Sequence, residues 1–165
     1  MFVDLTVAVE VGIVLAALTF IRRVATTTDI SMVTPDFVEE GRIHILQDRK
    51  IPSYVTVFKI RGPFLFGGAE KLGRIVEHAG ALPPVVILRL RYMTAIDATG
   101  LRAIEDLSNR LRASGRTLIL CGAREQPAAV MRQAGFHEHI GDENFCLNIE
   151  AALRRAAAVH HTRAA

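Results

Sequence analysis

The sequence predicts an α/β fold, with helices packed on a mixed β-sheet, behind one N-terminal helix of transmembrane character. Three observations predict it. Residues 5–21, LTVAVEVGIVLAALTFI, are apolar apart from Glu10 and two threonines. The run Val85-Val86-Ile87-Leu88-Arg89-Leu90 is β-branched and apolar, as a buried strand should be. Directly after it, Leu101, Ile104, Leu107 and Leu111 recur at three- and four-residue spacing, the stripe of a packed helix.

The N-terminal run lies near the short end of what spans a bilayer, about 17 to 25 residues. Ten of its residues are Leu, Ile, Val or Phe, each worth about −0.3 to −0.6 kcal/mol at a helix centre. Glu10 opposes them with roughly +2.5 to +3.5, so the helix inserts only marginally on its own. Ala8, Gly12 and Ala16 repeat every four residues and would let another helix backbone approach, while Glu10 and Thr6 would face a polar bundle interior. A signal peptide fits poorly, because Asp4 stands where a basic leader belongs, no small-x-small site follows, and Arg22-Arg23 come after the apolar run. By the positive-inside rule those arginines place the rest of the chain in the cytoplasm, at an inner (plasma) membrane. The alternative is a buried or dimerising helix of a soluble protein.

The organisation expected is therefore a membrane helix over 1–23, a linker over 24–41, an α/β domain over 42–159 and a tail over 160–165. The linker, VATTTDISMVTPDFVEEG, is Thr- and acid-rich and lacks sustained periodicity. Arg42–Asp48 and Tyr54–Arg61 alternate apolar and polar residues around a Lys50-Ile51-Pro52-Ser53 turn, which predicts an antiparallel pair ended by Gly62-Pro63. A helix over Ala69–Ala79 presents Leu72, Ile75 and Val76 inward, and Gly80 with Pro83-Pro84 closes it. The buried strand and the striped helix follow. Thr117–Cys121 reads as a short strand, Pro127–Ala134 as a helix ended by Gly135, and Asn144–Val159 as a last helix with Ile149, Leu153 and Ala157 inward. The order ββαβαβαα implies a sheet whose later strands run parallel through right-handed crossovers.

Composition narrows function. Half of the 165 residues are apolar, enough for one well-cored domain, and the net charge of +3 comes from scattered arginines rather than a stripe. With two tyrosines and no tryptophan, nucleic-acid binding is not expected. Cys121 and Cys146 lack CxxC spacing and read as reduced thiols, and the six histidines find no ligand partners at metal spacing, so neither metal nor cofactor is expected. The chain has no GxxxxGK[ST], GxGxxG, GxSxG or HExxH, and no serine sits at a strand-to-helix elbow, so enzyme activity is not expected. Cys121, at a strand end, lacks a nearby histidine to activate it.

What stands out is Ile96-Asp97-Ala98-Thr99-Gly100-Leu101, which joins strand to helix. The first N–H groups of a helix lack internal acceptors, and Asp97 or Thr99 can supply one. Most such turns are simply capped; the electropositive helix start would also suit an anionic group. A candidate docking surface for a protein partner, an anionic ligand or a nucleotide comprises Phe66, Gly67, Asp97, Thr99, Gly100 and Arg102.

These pieces resemble the STAS domain that follows the last membrane helix of SulP-type anion permeases, the sulfate permease family. The resemblance runs through DLTVAVEVGIVLAAL, RGPFLFGGAEKL, VVILRLRYMTAIDATGL, TLILCG and GDENFCLNIEAAL, and covers nearly the whole chain. It implies a non-catalytic regulatory domain whose partner is the membrane domain of a parent permease, with a cytoplasmic regulatory protein as a further candidate partner. It also implies that the chain is a C-terminal portion of a split or longer permease, the anion path itself lying elsewhere. STAS domains also occur as free-standing anti-sigma-factor antagonists, the alternative reading, in which a phosphorylatable serine directly follows the motif's Asp. That position here is Ala98, so only Thr99, one place later, offers a hydroxyl.

Overall fold

In the computed structural model, which describes residues 2–33, 51–77 and 79–164, period-two alternation and helical stripes sort the apolar residues onto the two faces of one sheet. Helix α1 (Phe2–Thr27) precedes strand β1 (Asp29–Val33). After β2 (Val55–Phe64) come α2 (Phe66–Glu77), β3 (Val85–Ile96), α3 (Ala98–Ala113) and β4 (Thr117–Cys121). Helices α4 (Glu125–Gln133) and α5 (Phe136–Ile140), strand β5 (Phe145–Cys146) and helix α6 (Ile149–Ala164) complete the order.

Among the described residues the sheet has strand order β1-β2-β3-β4-β5, with β1 antiparallel to β2 and the other pairs parallel. On one face, Ile60, Phe64, Val86, Leu88, Leu90, Leu118 and Leu120 meet Leu72 of α2, Ile104, Leu107 and Leu111 of α3, Met131 of α4 and Phe136 of α5. On the other, Val55, Val57, Val85, Ile87 and Ile119 are covered by α6 through Ile149, Ala152 and Ala156. The mixed α/β class stands as expected, and the α3 stripe is buried where its spacing puts it.

Several elements differ from expectation. The antiparallel partner of β2 is Asp29–Val33, inside the expected linker, and Arg42–Asp48 lie outside the described residues. Thr28 is buried and Ile30 packs against the core, so this Thr-rich stretch is structural despite its polar look. Gly62-Pro63 do not end β2. The ladder with β1 stops at the Asp29–Arg61 pair, and a proline is tolerated where no ladder N–H is required. Strand β3 runs on past Leu90 to Ile96 through a register shift against β2. Residues 144–148, expected in the last helix, supply the end of a 3-10 turn, β5 and the turn before α6; Ile149 is buried and Leu153 half-buried against the same cluster as expected, while Ala152 and Ala156, rather than Ala157, complete the buried stripe. His160 and His161 belong to α6, not to a tail, with His160 stacked on Tyr54 at 4.0 Å. Helix α5 and strand β5 were not foreseen.

Candidate functional site

The first turns of α2 and α3 start where β2 and β3 end, and both close on the fully buried ring of Phe64. Asp97 has extended backbone (φ −114°, ψ −177°), and its Oδ1 accepts the Gly100 N–H at 2.8 Å. The turn is thus capped by its own aspartate, as its composition predicts. Ala98, Thr99 and Arg102 are exposed beside the cap, and Phe66 and Gly67 open α2 on the neighbouring strand end. The fold therefore brings the six candidate residues to one end of the sheet.

Gly100 differs from the others, because it is buried. A Cβ there would lie 2.5 Å from the Phe64 carbonyl oxygen, 2.8 Å from its ring and 2.9 Å from Ile96. Its function is to let α3 approach Phe64, not to present a surface. Gly68 does the same for α2: a Cβ would lie 2.7 Å from the Phe64 ring and 3.0 Å from Thr28 Cγ2.

Two contributors escaped sequence reasoning. Gln126, at the start of α4, accepts the Ile96 N–H at 3.0 Å and donates to the Ile96 carbonyl at 3.1 Å. Its amide thereby pairs the end of β3 after β4 has stopped. No local pattern announces it, since the pairing spans thirty residues of chain. Thr28 is the second. Its hydroxyl donates to the Pro63 carbonyl, and its own carbonyl accepts the Lys71 ammonium. The end of α1 is in this way joined to β2 and α2 beside the candidate surface.

Along α1, Ala8, Glu10, Gly12 and Ala16 are all exposed, as are the ten large apolar residues between Leu5 and Ile21, and among the described residues nothing beyond the local helix backbone lies within 4 Å of a Cβ placed on Gly12. The span Leu5–Arg23 is long and apolar enough to cross a membrane, with mean hydropathy 2.0 and none of it buried.

Elsewhere, titratable groups serve structure. His137 Nδ1 lies 2.9 Å from Asp142 and its ring stacks on Phe145, while His139 meets Asn109 at 3.1 Å. Among the described residues no three His, Cys, Asp or Glu side chains converge on a metal position. Burial pushes the Cys121 thiol up to about 12, with Arg89 opposing, so its thiolate is scarce at neutral pH. Iodoacetamide at pH 8 is accordingly expected to label the half-buried Cys146 well before Cys121 in the native chain. Equal rates by mass spectrometry would contradict the burial of Cys121.

A family model described as the STAS domain matches residues 46–152. A Bacillus subtilis protein described as a sulfate transporter, YvdB, is 27% identical over 143 residues, which cover 86% of this chain and 26% of that protein. The crystal structure of a sulfate transporter family protein from Wolinella succinogenes is 30% identical (TM-score 0.65), with 70% of this chain and 94% of that one covered. The STAS domain of a SulP transporter from Vibrio cholerae is 27% identical (TM-score 0.58), with 70% and 89% covered. The murine anion transporter Slc26a9 shares the fold at 17% identity (TM-score 0.68), over 91% of this chain and 25% of that one. The chain thus spans about a quarter of the length of the curated relative it matches.

Proposed function

The chain belongs to the STAS domain family, and from that premise we propose that it is the non-catalytic, cytoplasmic regulatory module of a SulP-type sulfate or anion permease, tethered at the inner membrane through α1. The sequence relatives that are transporters support this reading. The observation that carries it is the junction at Thr28. An apolar helix that no described residue covers passes directly into a domain whose β2 and α2 hold that junction by hydrogen bonds to Pro63 and Lys71. A helix moved by a membrane partner would therefore move the strand end on which the candidate surface is built.

In this reading the surface around Phe66, Gly67, Asp97, Thr99 and Arg102 docks the permease membrane domain or a cytoplasmic protein. Gly100 shapes it from beneath. The partner-switch alternative lacks its serine at Ala98, and no feature of the described residues favours it.

The test is sulfate uptake by proteoliposomes holding the chain together with the SulP membrane domain from the same genome. Thr99→Glu places a charge beside the cap without entering the core, and is expected to change uptake by roughly threefold or more, the size of a modest coupling energy. Uptake indifferent both to Thr99→Glu and to omission of the chain would end the proposal.

A further inference from the structure

The face of the sheet covered by α6 carries a group that the docking surface does not use. Arg89 follows Val85 and Ile87 on that face by period two, is only 4% exposed, and lines a cavity of about 210 Å³ with Arg91, Gly122, Asn148, Ile149 and Glu150. Its Nη1 is the one buried side-chain nitrogen or oxygen among the described residues with no hydrogen-bond partner. A buried guanidinium N–H left without an acceptor is costly to keep, and such groups are rare in folded proteins.

Three further features adjoin Arg89 or its cavity. The register shift in β3, where Lys59 pairs with Arg89 but Arg61 with Tyr92, sets the Tyr92 ring among three cations: Arg89 at 5.5 Å, Lys59 at 5.7 Å and Arg61 at 5.8 Å. A ring face attracts cations but does not replace an acceptor oxygen. The sixteen-residue α6 starts at this cavity, its first turn capped by Asn148, which accepts the Ala151 N–H at 2.9 Å. Its positive end adds to the field. Gly122, at φ +72°, carries no side chain at the mouth, where a Cβ would stand 3.5 Å from that of Arg91. Burial first, then Arg61 and Arg89, hold the Lys59 ammonium below its usual range, with Asp29 opposing them. The nearby carboxylates are Glu150 on the cavity wall and Asp29 beside Lys59.

We infer that the cavity between the middle of β3, the end of β4 and the start of α6 binds a small free oxyanion of the sulfate or phosphate class, with Arg89 as its buried ligand and Arg91 at its rim. The recessed position of Arg89 suits a free ion with a few waters rather than a headgroup held in a bilayer surface.

The intact chain in detergent micelles, titrated with sodium sulfate and sodium phosphate by calorimetry against sodium chloride at equal ionic strength, tests it. Saturable binding of either oxyanion at one site, weakened by Arg89→Met roughly tenfold or more, is expected. Arg91→Glu, at the exposed rim, is expected to weaken it too, and serves should Arg89→Met fail to fold. Equal heats from chloride, or oxyanion affinities unmoved in both variants, would overturn the assignment. So would binding found only in nanodiscs of phosphatidylglycerol and not in micelles, which would assign the cations to lipid.

Discussion

Gly100→Val is expected to cost the domain about 3 kcal/mol, the upper part of the range for overpacking a well-filled core. The reason is backbone against backbone. A Cβ would come within 2.5 Å of the Phe64 carbonyl, and neither that oxygen, fixed in β2, nor the first turn of α3, fixed by the Asp97 cap, can yield as a side chain would. The ring at 2.8 Å and Ile96 at 2.9 Å close the remaining directions, and valine adds two methyls where one carbon already clashes. Against a total stability of about 5 to 15 kcal/mol, this is a large share. Thr99→Val, one residue earlier and exposed, is expected to stay within about 0.5 kcal/mol of wild type. Urea unfolding of both variants followed by circular dichroism measures the contrast. Coincident midpoints would mean that α3 does not start against Phe64. A further consequence is that any large substitution at Gly100 reads out the core rather than docking, so the surface must be probed at Thr99 and Arg102.

The parts legible in the sequence were those whose signal is local. The α3 stripe, the β4 run and the Asp97 cap each announce themselves within a few residues, because spacing and capping are short-range physics. What escaped is set by distant partners. Residues 29–33 look like linker because a five-residue edge strand, half solvated, needs few apolar side chains. Only pairing with β2 and the burial of Thr28 make it structure. Gly62-Pro63 look like a stop, but the end of the β1 ladder at Arg61 removes the penalty, because no strand requires the missing Pro63 N–H there. The surface residues were found through their cap and their family motif. Gln126, Lys71 and Arg89 were not, since their roles depend on tertiary partners on other elements.

Deleting residues 2–23 is expected to move the protein almost completely from the carbonate-washed membrane pellet to the supernatant, while the intact chain stays with the membrane. The ten large apolar residues of α1 are all exposed, with nothing among the described residues covering them. Their burial in lipid is worth about 3 to 6 kcal/mol, against roughly 3 for Glu10 at mid-span. The balance favours insertion only narrowly, so Glu10→Leu is expected to strengthen retention under alkaline wash, whereas Glu10→Lys leaves it unchanged or weakens it. An intact chain that washes off with carbonate would instead make α1 a helix-pairing element covered by protein. The narrowness has a structural consequence. A lone span gains by losing Glu10, but a span that packs its Ala8-Gly12-Ala16 stripe against a neighbouring helix gives that carboxylate polar company, and small residues at four-residue spacing are what close helix approach requires. In native membranes containing the permease, Glu10→Leu is then expected to bind lipid more firmly and the partner helices less, a divergence that a merely anchoring helix would not show.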